Sequence, residues 1–384
     1  MRAIVFAIRG CPAGWLGAYG NEWVVTPHLD QFAAEGIAFD RHISDCPDPE
    51  AAGRAWLHGS RVLEQLHTAD VQTVLLRANH TDTDAPAPFY DGWGEVFDAR
   101  PQEEDSSPLD NLIRSLPSVL DRLANVPRWL LWVEVDRCLP PWDVPQDVFD
   151  AYLADGDDAE LGDELEAPVT ACSDPPVGPF DASDLVAWQW LQMSFASVIT
   201  KLDAELGEAF EQMRSRGLDQ TAAWLVTSDL GYPLGEHGLI GVKGSRLHEE
   251  LVHVPLLLRL PGAAEAGRRV AGFTQPADVA GTLLELFDRS PHAPREVPHA
   301  EREVYDASRS LLSLARGERE SIRSAAHSKL EDEVAIRTDR WAYLRSPLGA
   351  VLFSKPDDRG EVNDVLGLNE EAALELERLL PIKS

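Results

Sequence analysis

Ala3-Ile4-Val5-Phe6-Ala7-Ile8 is an unbroken apolar run that stops at Arg9. Its length suits one strand, and apolarity at every position is what a strand covered on both faces requires. A secretory leader would need a longer apolar core and a small-residue cleavage site behind it, and neither is present. The run is therefore read as the first strand of a covered sheet. Outward from it, residues 71–77 (VQTVLLR), 129–135 (WLLWVEV), 221–227 (TAAWLVT) and 254–259 (VPLLLR) have the same texture. Helical signals lie between these runs. Thr26-Pro27 supplies an N-cap and a first-turn proline, Leu29, Phe32 and Ala33 form the inner face, and Gly36 ends the segment. Leu109, Leu112, Leu116, Leu120 and Leu123 have helical spacing with an expected kink at Pro117, and residues 184–216 run to a stop at Gly217. This alternation predicts an α/β fold, a doubly wound and mostly parallel sheet flanked by helices, over residues 1–290. Beyond Pro291 the texture changes. Residues 334–344 alternate like one antiparallel strand, 351–353 can pair with it, and 370–380 suit a terminal helix. A small α+β subdomain over 291–384 is expected, packed on the first unit.

The chain has 384 residues, with 34 Lys and Arg against 65 Asp and Glu, a net charge of −31. Such an acid excess argues against nucleic acid and anionic membranes as partners, because phosphate binding needs cationic counter-charge. Four cysteines, none in a CxxC pair, exclude a disulfide scaffold and a zinc ribbon. No apolar stretch reaches membrane-spanning length, so a cytoplasmic protein is expected. Residues 154–166 (ADGDDAELGDELE) read as an exposed acidic loop without the Gly and Glu of a calcium-binding loop. Trp129, Trp132, Trp188 and Trp190 read as core.

In an open α/β sheet, ligands bind beyond the carboxyl ends of the strands. Those positions carry Arg9-Gly10-Cys11-Pro12, then Asp136-Arg137-Cys138-Leu139-Pro140-Pro141-Trp142, then Ser228-Asp229-Leu230-Gly231. Taken alone, Asp229, His237 and Lys243 could hold a metal or an anion, or Asp229 could simply cap a turn and His237 belong to a surface loop.

Four ordered blocks extend this reading. Leu16-Gly17-Ala18-Tyr19-Gly20-Asn21, Thr26-Pro27-His28-Leu29-Asp30 and the stretch from Ala33 to Phe39 make up the first. Ser228-Asp229-Leu230-Gly231 with Gly235-Glu236-His237-Gly238 is the second, the stretch from His248 to Leu256 the third, and the stretch from Ile336 to Tyr343 the fourth. In this order they resemble the sulfatase family of the alkaline phosphatase superfamily. The resemblance implies an alkaline phosphatase-like fold and a site built from two Asp after the first strand, an Asp with Asn or His after a late strand, and a divalent cation, usually calcium. It also implies a Cys or Ser converted to formylglycine, Lys and His on the sulfate oxygens, and a His that protonates the leaving alcohol.

Aligned by these blocks, most of those positions are changed. The paired aspartates fall on Arg9 and Gly10, and the late pair on Asp229 and Leu230. The nucleophile falls on Pro49, the motif arginine on Gly53 beside Arg54, and Cys46 lies upstream without the motif's Pro and Arg. The Lys and His after the second buried strand become Ala78 and His80, the leaving-group acid becomes Leu139, and Lys243 is kept. One carboxylate cannot supply the six to eight oxygens calcium takes, so no cofactor is expected. Arg9 is expected to stand in for the cation and to pair with Asp229, sparing the fold an unpaired buried charge.

The sequence therefore predicts a sulfatase-like protein without catalysis, in a binding, scaffold or regulatory role. The alternative is an active sulfuric or phosphoric ester hydrolase using Cys46, with Arg54, His80 and Lys243 on the anion. A third reading makes Arg9, Arg54, His80 and Lys243 an anion-binding pocket. A small anion or a protein is the expected partner.

Overall fold

A computed structural model describes residues 1–57, 61–78, 91–99, 107–135, 138–154, 169–244, 246–290 and 308–380. Its strands in chain order are β1 (Arg2–Ile8), β2 (Ile37–His42), β3 (Gln72–Ala78), β4 (Glu95–Ala99), β5 (Trp129–Val135), β6 (Gly178–Pro179), β7 (Ala222–Ser228), β8 (Leu239–Ile240), β9 (Leu256–Arg259) and β10 (Arg268–Thr274). Four more follow: β11 (Ala326–Leu330), β12 (Glu333–Arg337), β13 (Trp341–Ser346) and β14 (Gly349–Ser354). Eight of them form one sheet in the order β10-β2-β9-β7-β1-β5-β3-β4. All neighbours are parallel except β9, which runs against both β2 and β7.

β1 lies at the centre, with Phe6 in register with Val133 of β5 and Val226 of β7. Because side chains alternate along a strand, its apolar run feeds two cores. Ile4, Phe6 and Ile8 pack with the helices Pro108–Leu123 and Leu185–Arg214, while Ala3, Val5 and Ala7 pack with Pro49–Leu57, Arg61–His67 and Pro276–Leu286. This two-sided burial is why no position of the run can be polar.

The helix at Pro27–Ala34 starts where Thr26-Pro27 places it, but Thr26 does not cap it. Thr26 Oγ1 accepts from the Gly17 N–H at 2.9 Å, and the buried Asp203 carboxylate accepts from the His28 and Leu29 N–H groups at 3.1 and 2.7 Å. A long-range carboxylate has taken the local cap's place. The helix Pro108–Leu123 continues through Pro117, anchored by a capping box between Ser107 and Asp110.

β11 to β14 form a second, antiparallel sheet, with the helix Glu370–Leu379 against it. The expected single strand over 334–344 is a hairpin, β12 and β13, turning at 338–340, where the Thr338 N–H donates to the Trp341 carbonyl at 2.8 Å. An alternating pattern that continues through a tight turn conceals the turn. The pairing with 351–353 is present, Tyr343 lying opposite Leu352. Ala335, Ala342, Leu344 and Phe353 of this sheet pack on Ile43, Leu230, Leu251 and Phe273, which fixes it over the loops that follow β2 and β7. Leu311, Leu312, Leu314, Ala315 and Ile322 return to the core of the large sheet. The expected boundary at 290/291 adjoins, and residues 155–166 of the acidic segment fall outside, the described residues. Among the described residues no helix is long and apolar enough to cross a membrane.

Candidate functional site

The carboxyl ends of β1, β5 and β7 lie side by side in register, Ile8 pairing with Val135 and with Ser228. The residues that follow therefore converge on one point of the sheet. The Arg9 N–H continues the ladder to the Val135 carbonyl at 2.8 Å. Its guanidinium turns to Glu134, Nε donating to Oε1 at 2.7 Å and Nη2 forming the ion pair. Glu134 is 3% exposed, so this carboxylate depends on a cation and would be costly to bury without one. The register explains the choice. Glu134 lies opposite Ala7, and Arg9, two residues on, projects from the same face as Ala7.

Gly10 has φ +75° and its N–H donates to Asp229 Oδ1 at 3.0 Å. The same oxygen accepts from the Leu230 N–H at 2.8 Å. Asp229 is thus tied to backbone donors at both flanking strand ends, and its carbonyl accepts from Ser44 Oγ at 2.8 Å. A side chain at Gly10 would meet Leu139 first, with its Cβ 2.6 Å from Leu139 Cδ2 and 3.0 Å from Cγ. Leu230 is buried in the cluster shared with the second sheet. Where the family resemblance places two aspartates, an amide or imidazole and an acid, the chain has an ion-paired arginine, a glycine and two leucines. Among the described residues no group of three or more His, Cys, Asp and Glu gathers as a metal site.

The other expected site residues sit elsewhere. Arg54 is exposed and ion-paired to Glu50 one turn back on its helix. Lys243 is exposed on the loop after β8. His80 lies outside the described residues. Cys46 is half-buried, and burial with the charges of Asp45 and Asp48 pushes its thiol up to about 11. Little thiolate exists at neutral pH at such a value, which works against a nucleophilic role. Trp129 and Trp132 are core residues, whereas Trp188 and Trp190 are only partly buried.

His237, expected to be a framework residue of its turn, belongs to a polar cluster not foreseen from the sequence. Its Nδ1 lies 2.7 Å from Glu250 Oε1, its Nε2 lies 3.1 Å from the Glu361 carbonyl, and its ring stacks on His248 at 3.7 Å. Arg337 Nη2 donates to both Glu361 oxygens at 2.8 and 3.0 Å and to the Leu247 carbonyl at 2.7 Å. Glu249 and Lys355 complete the cluster, Lys355 Nζ lying 3.0 Å from Glu249 and 3.2 Å from Glu361. Burial opposes a charge on His237, but the bond and charge of Glu250 prevail and raise its pKa to about 9. Folding therefore gains from this proton fully below the unfolded histidine value near 6.5, and loses the gain as pH rises through about 9. The melting temperature is expected to fall between about pH 7 and pH 9.5, by the equivalent of about 2 kcal/mol. His237→Gln should flatten that slope in melts recorded across the range.

The comparisons agree with this architecture. The sulfatase family model matches residues 64–289. A segment of 111 residues is 29% identical to an N-acetylglucosamine-6-O-sulfatase of Bacteroides thetaiotaomicron, covering 28% of this chain and 19% of that protein. Another of 101 residues is 33% identical to the multifunctional alkaline phosphatase superfamily protein PehA of Trinickia caryophylli, covering 25% and 18%. The matched segments thus span less than a fifth of these two curated relatives. Over nearly the whole chain the fold is similar to that of a phosphonate monoester hydrolase of Agrobacterium radiobacter, with TM-score 0.73, 17% identity and coverage of 99% and 94%. It is likewise similar to BT4656 in complex with its substrate D-glucosamine-2-N,6-O-disulfate, with TM-score 0.74, 16% identity and coverage of 98% and 96%. With more than half of the chain matched by the family model and the fold shared throughout, this protein belongs to the sulfatase family.

Proposed function

We propose that this chain is a non-hydrolytic member of the sulfatase family that works by binding, as a scaffold or regulatory subunit. One observation carries the reading: the Leu139 side chain occupies the space that any side chain on Gly10 would need, next to an Arg9 committed to Glu134. A divalent cation there would meet a guanidinium and an isobutyl group in place of carboxylates. Calcium takes six to eight oxygens and magnesium an octahedral set, and Asp229, already accepting two backbone N–H groups, offers too little. The donor set does not fit the family's metal. The leaving-group acid position is Leu139 as well, so among the described residues neither of these positions keeps a group for activation or proton donation.

The test is turnover. Purified chain assayed with aryl sulfate, aryl phosphate and phosphonate monoester substrates, each with added calcium, magnesium, manganese or zinc, is expected to match buffer alone. Metal-dependent turnover that disappears in Asp229→Ala would overturn the proposal.

A further inference from the structure

Apart from the strand-end site, a cleft of about 800 Å³ opens between the loop that follows β1 and the short helix Glu249–Val252. That volume lies in the range of small-molecule sites. Three tryptophans line it, Trp15, Trp23 and Trp188. Each is held in place. Trp15 sits edge-on to Phe195 at 4.9 Å and 6.2 Å from Trp23, while Trp23 meets Tyr152 edge-on at 5.3 Å. Trp188 Nε1 donates to the Leu234 carbonyl at 2.8 Å. The loop carrying Trp23 is tied by Asn21 Oδ1, which accepts from the Trp23 and Val24 N–H groups at 3.0 and 2.8 Å. Yet Trp23 stays 42% exposed, so an indole fixed by its neighbours still presents surface to solvent.

The charges on the same walls are mostly negative. Glu249 and Glu250 are engaged with Lys355, His253, Arg337 and His237. Glu22 and Glu236 also line the cleft, and among the described residues neither enters an ion pair. Arg359 lies on the wall as well, its Nη2 3.5 Å from the Tyr19 carbonyl. Glu236 accepts from the Leu234 N–H at 2.6 Å, and burial with the charge of Glu250 raises its carboxyl to about 7 against the opposing charge of His237. Glu22 and a partly ionised Glu236 thus line the cleft with one guanidinium, among fixed indole rings. Indole faces attract cations through their quadrupole, and carboxylates accept N–H bonds that neutral or anionic ligands would not offer as well. The net charge of −31 favours cations in the approach too.

We propose that this cleft binds a small organic cation of the alkylammonium class, its charged head against the tryptophans and its N–H groups toward Glu22 and Glu236. The charge of this ligand is opposite to that of a sulfate or phosphate ester. The inference stands whether or not the strand-end site turns over esters.

Calorimetry and tryptophan fluorescence on the full chain, with spermidine and with butylammonium in about 0.15 M salt, test it under conditions that screen diffuse attraction. Saturable binding is expected, weakened about tenfold or more by Trp23→Ala and largely kept by Trp23→Phe, as a lost and a conserved cation–π face imply. The double variant Glu22→Gln/Glu236→Gln should weaken it several-fold without lowering the thermal melt. Absence of saturable binding would overturn the proposal. So would equal affinity for uncharged 1,8-octanediol, or tighter binding of maltose, which would make the cleft a carbohydrate site. Unchanged affinity in a folded Trp23→Ala or in the double variant would assign the binding to the general acidic surface and would also overturn it.

Discussion

Arg337→Met is expected to cost roughly 3–5 kcal/mol of stability, because it leaves a buried carboxylate short of its strongest cationic partner. Glu361 is fully buried, and Arg337 gives it two hydrogen bonds at 2.8 and 3.0 Å. Lys355 at 3.2 Å and His248 at 3.1 Å would remain, but Lys355 is shared with Glu249. Glu361 also has φ +55°, a strained value for a residue with a side chain, so surrounding bonds must hold its backbone in place. The cluster joins β12 to the loop after β7 and to the chain beyond β14, so its loss should release the second sheet from the first. Glu361→Gln in the same background removes the unpaired charge while keeping its acceptor. The double variant should therefore lose less than the sum of the single losses in denaturant unfolding. Strict additivity would mean that the two residues do not act as a pair.

The second large effect is expected at Gly10. Gly10→Asp introduces the acidic residue that the family resemblance implies there and should destabilise the chain by about 2–4 kcal/mol, from a positive φ on a substituted residue and a displaced Leu139. Both causes are on the same residue: φ +75° and a Cβ position 2.6 Å from Leu139 Cδ2. They can be separated, since Leu139→Ala in the Gly10→Asp background removes the steric part only. Thermal melts of the two single variants and the double variant should show partial recovery relative to the sum. A Gly10→Asp protein that is as stable as the parent and gains stability with calcium would show that the pocket is still open to metal, contrary to the proposed function.

Much of the fold could be read from runs that burial on both faces makes uniformly apolar, such as β1 and β5. β2 and β10 escaped notice because Asp40, Arg41, Arg268 and Arg269 interrupt them. Those charges are tolerated because the two strands lie toward one edge of the sheet, where part of each faces solvent. The antiparallel course of β9 is a matter of topology that VPLLLR does not encode. At the site, block spacing supplied an expected role for each position, and the rule of strand ends pointed to the place where Gly10, Leu139, Asp229 and Leu230 meet. What spacing could not supply was a partner across strands. Nothing within WLLWVEV gives Glu134 a partner, and only the register of β1 on β5 sets it beside Arg9. A lone acid in an otherwise apolar strand, one residue from its carboxyl end, was the available signal. The Arg337 and Glu361 cluster joins residues far apart in sequence, and no local pattern announces it.

Leu139 touches both the main core and the cluster beneath the second sheet, and Leu230 belongs to the latter. Enzymes keep the backbone around a working pocket loosely packed and locally easy to open, a concession of stability to function. With that volume filled by leucine, the strand ends of β1 and β7 are expected to open no faster than the core they join, so the Gly10 and Leu230 amides should exchange with solvent as slowly as those inside β1.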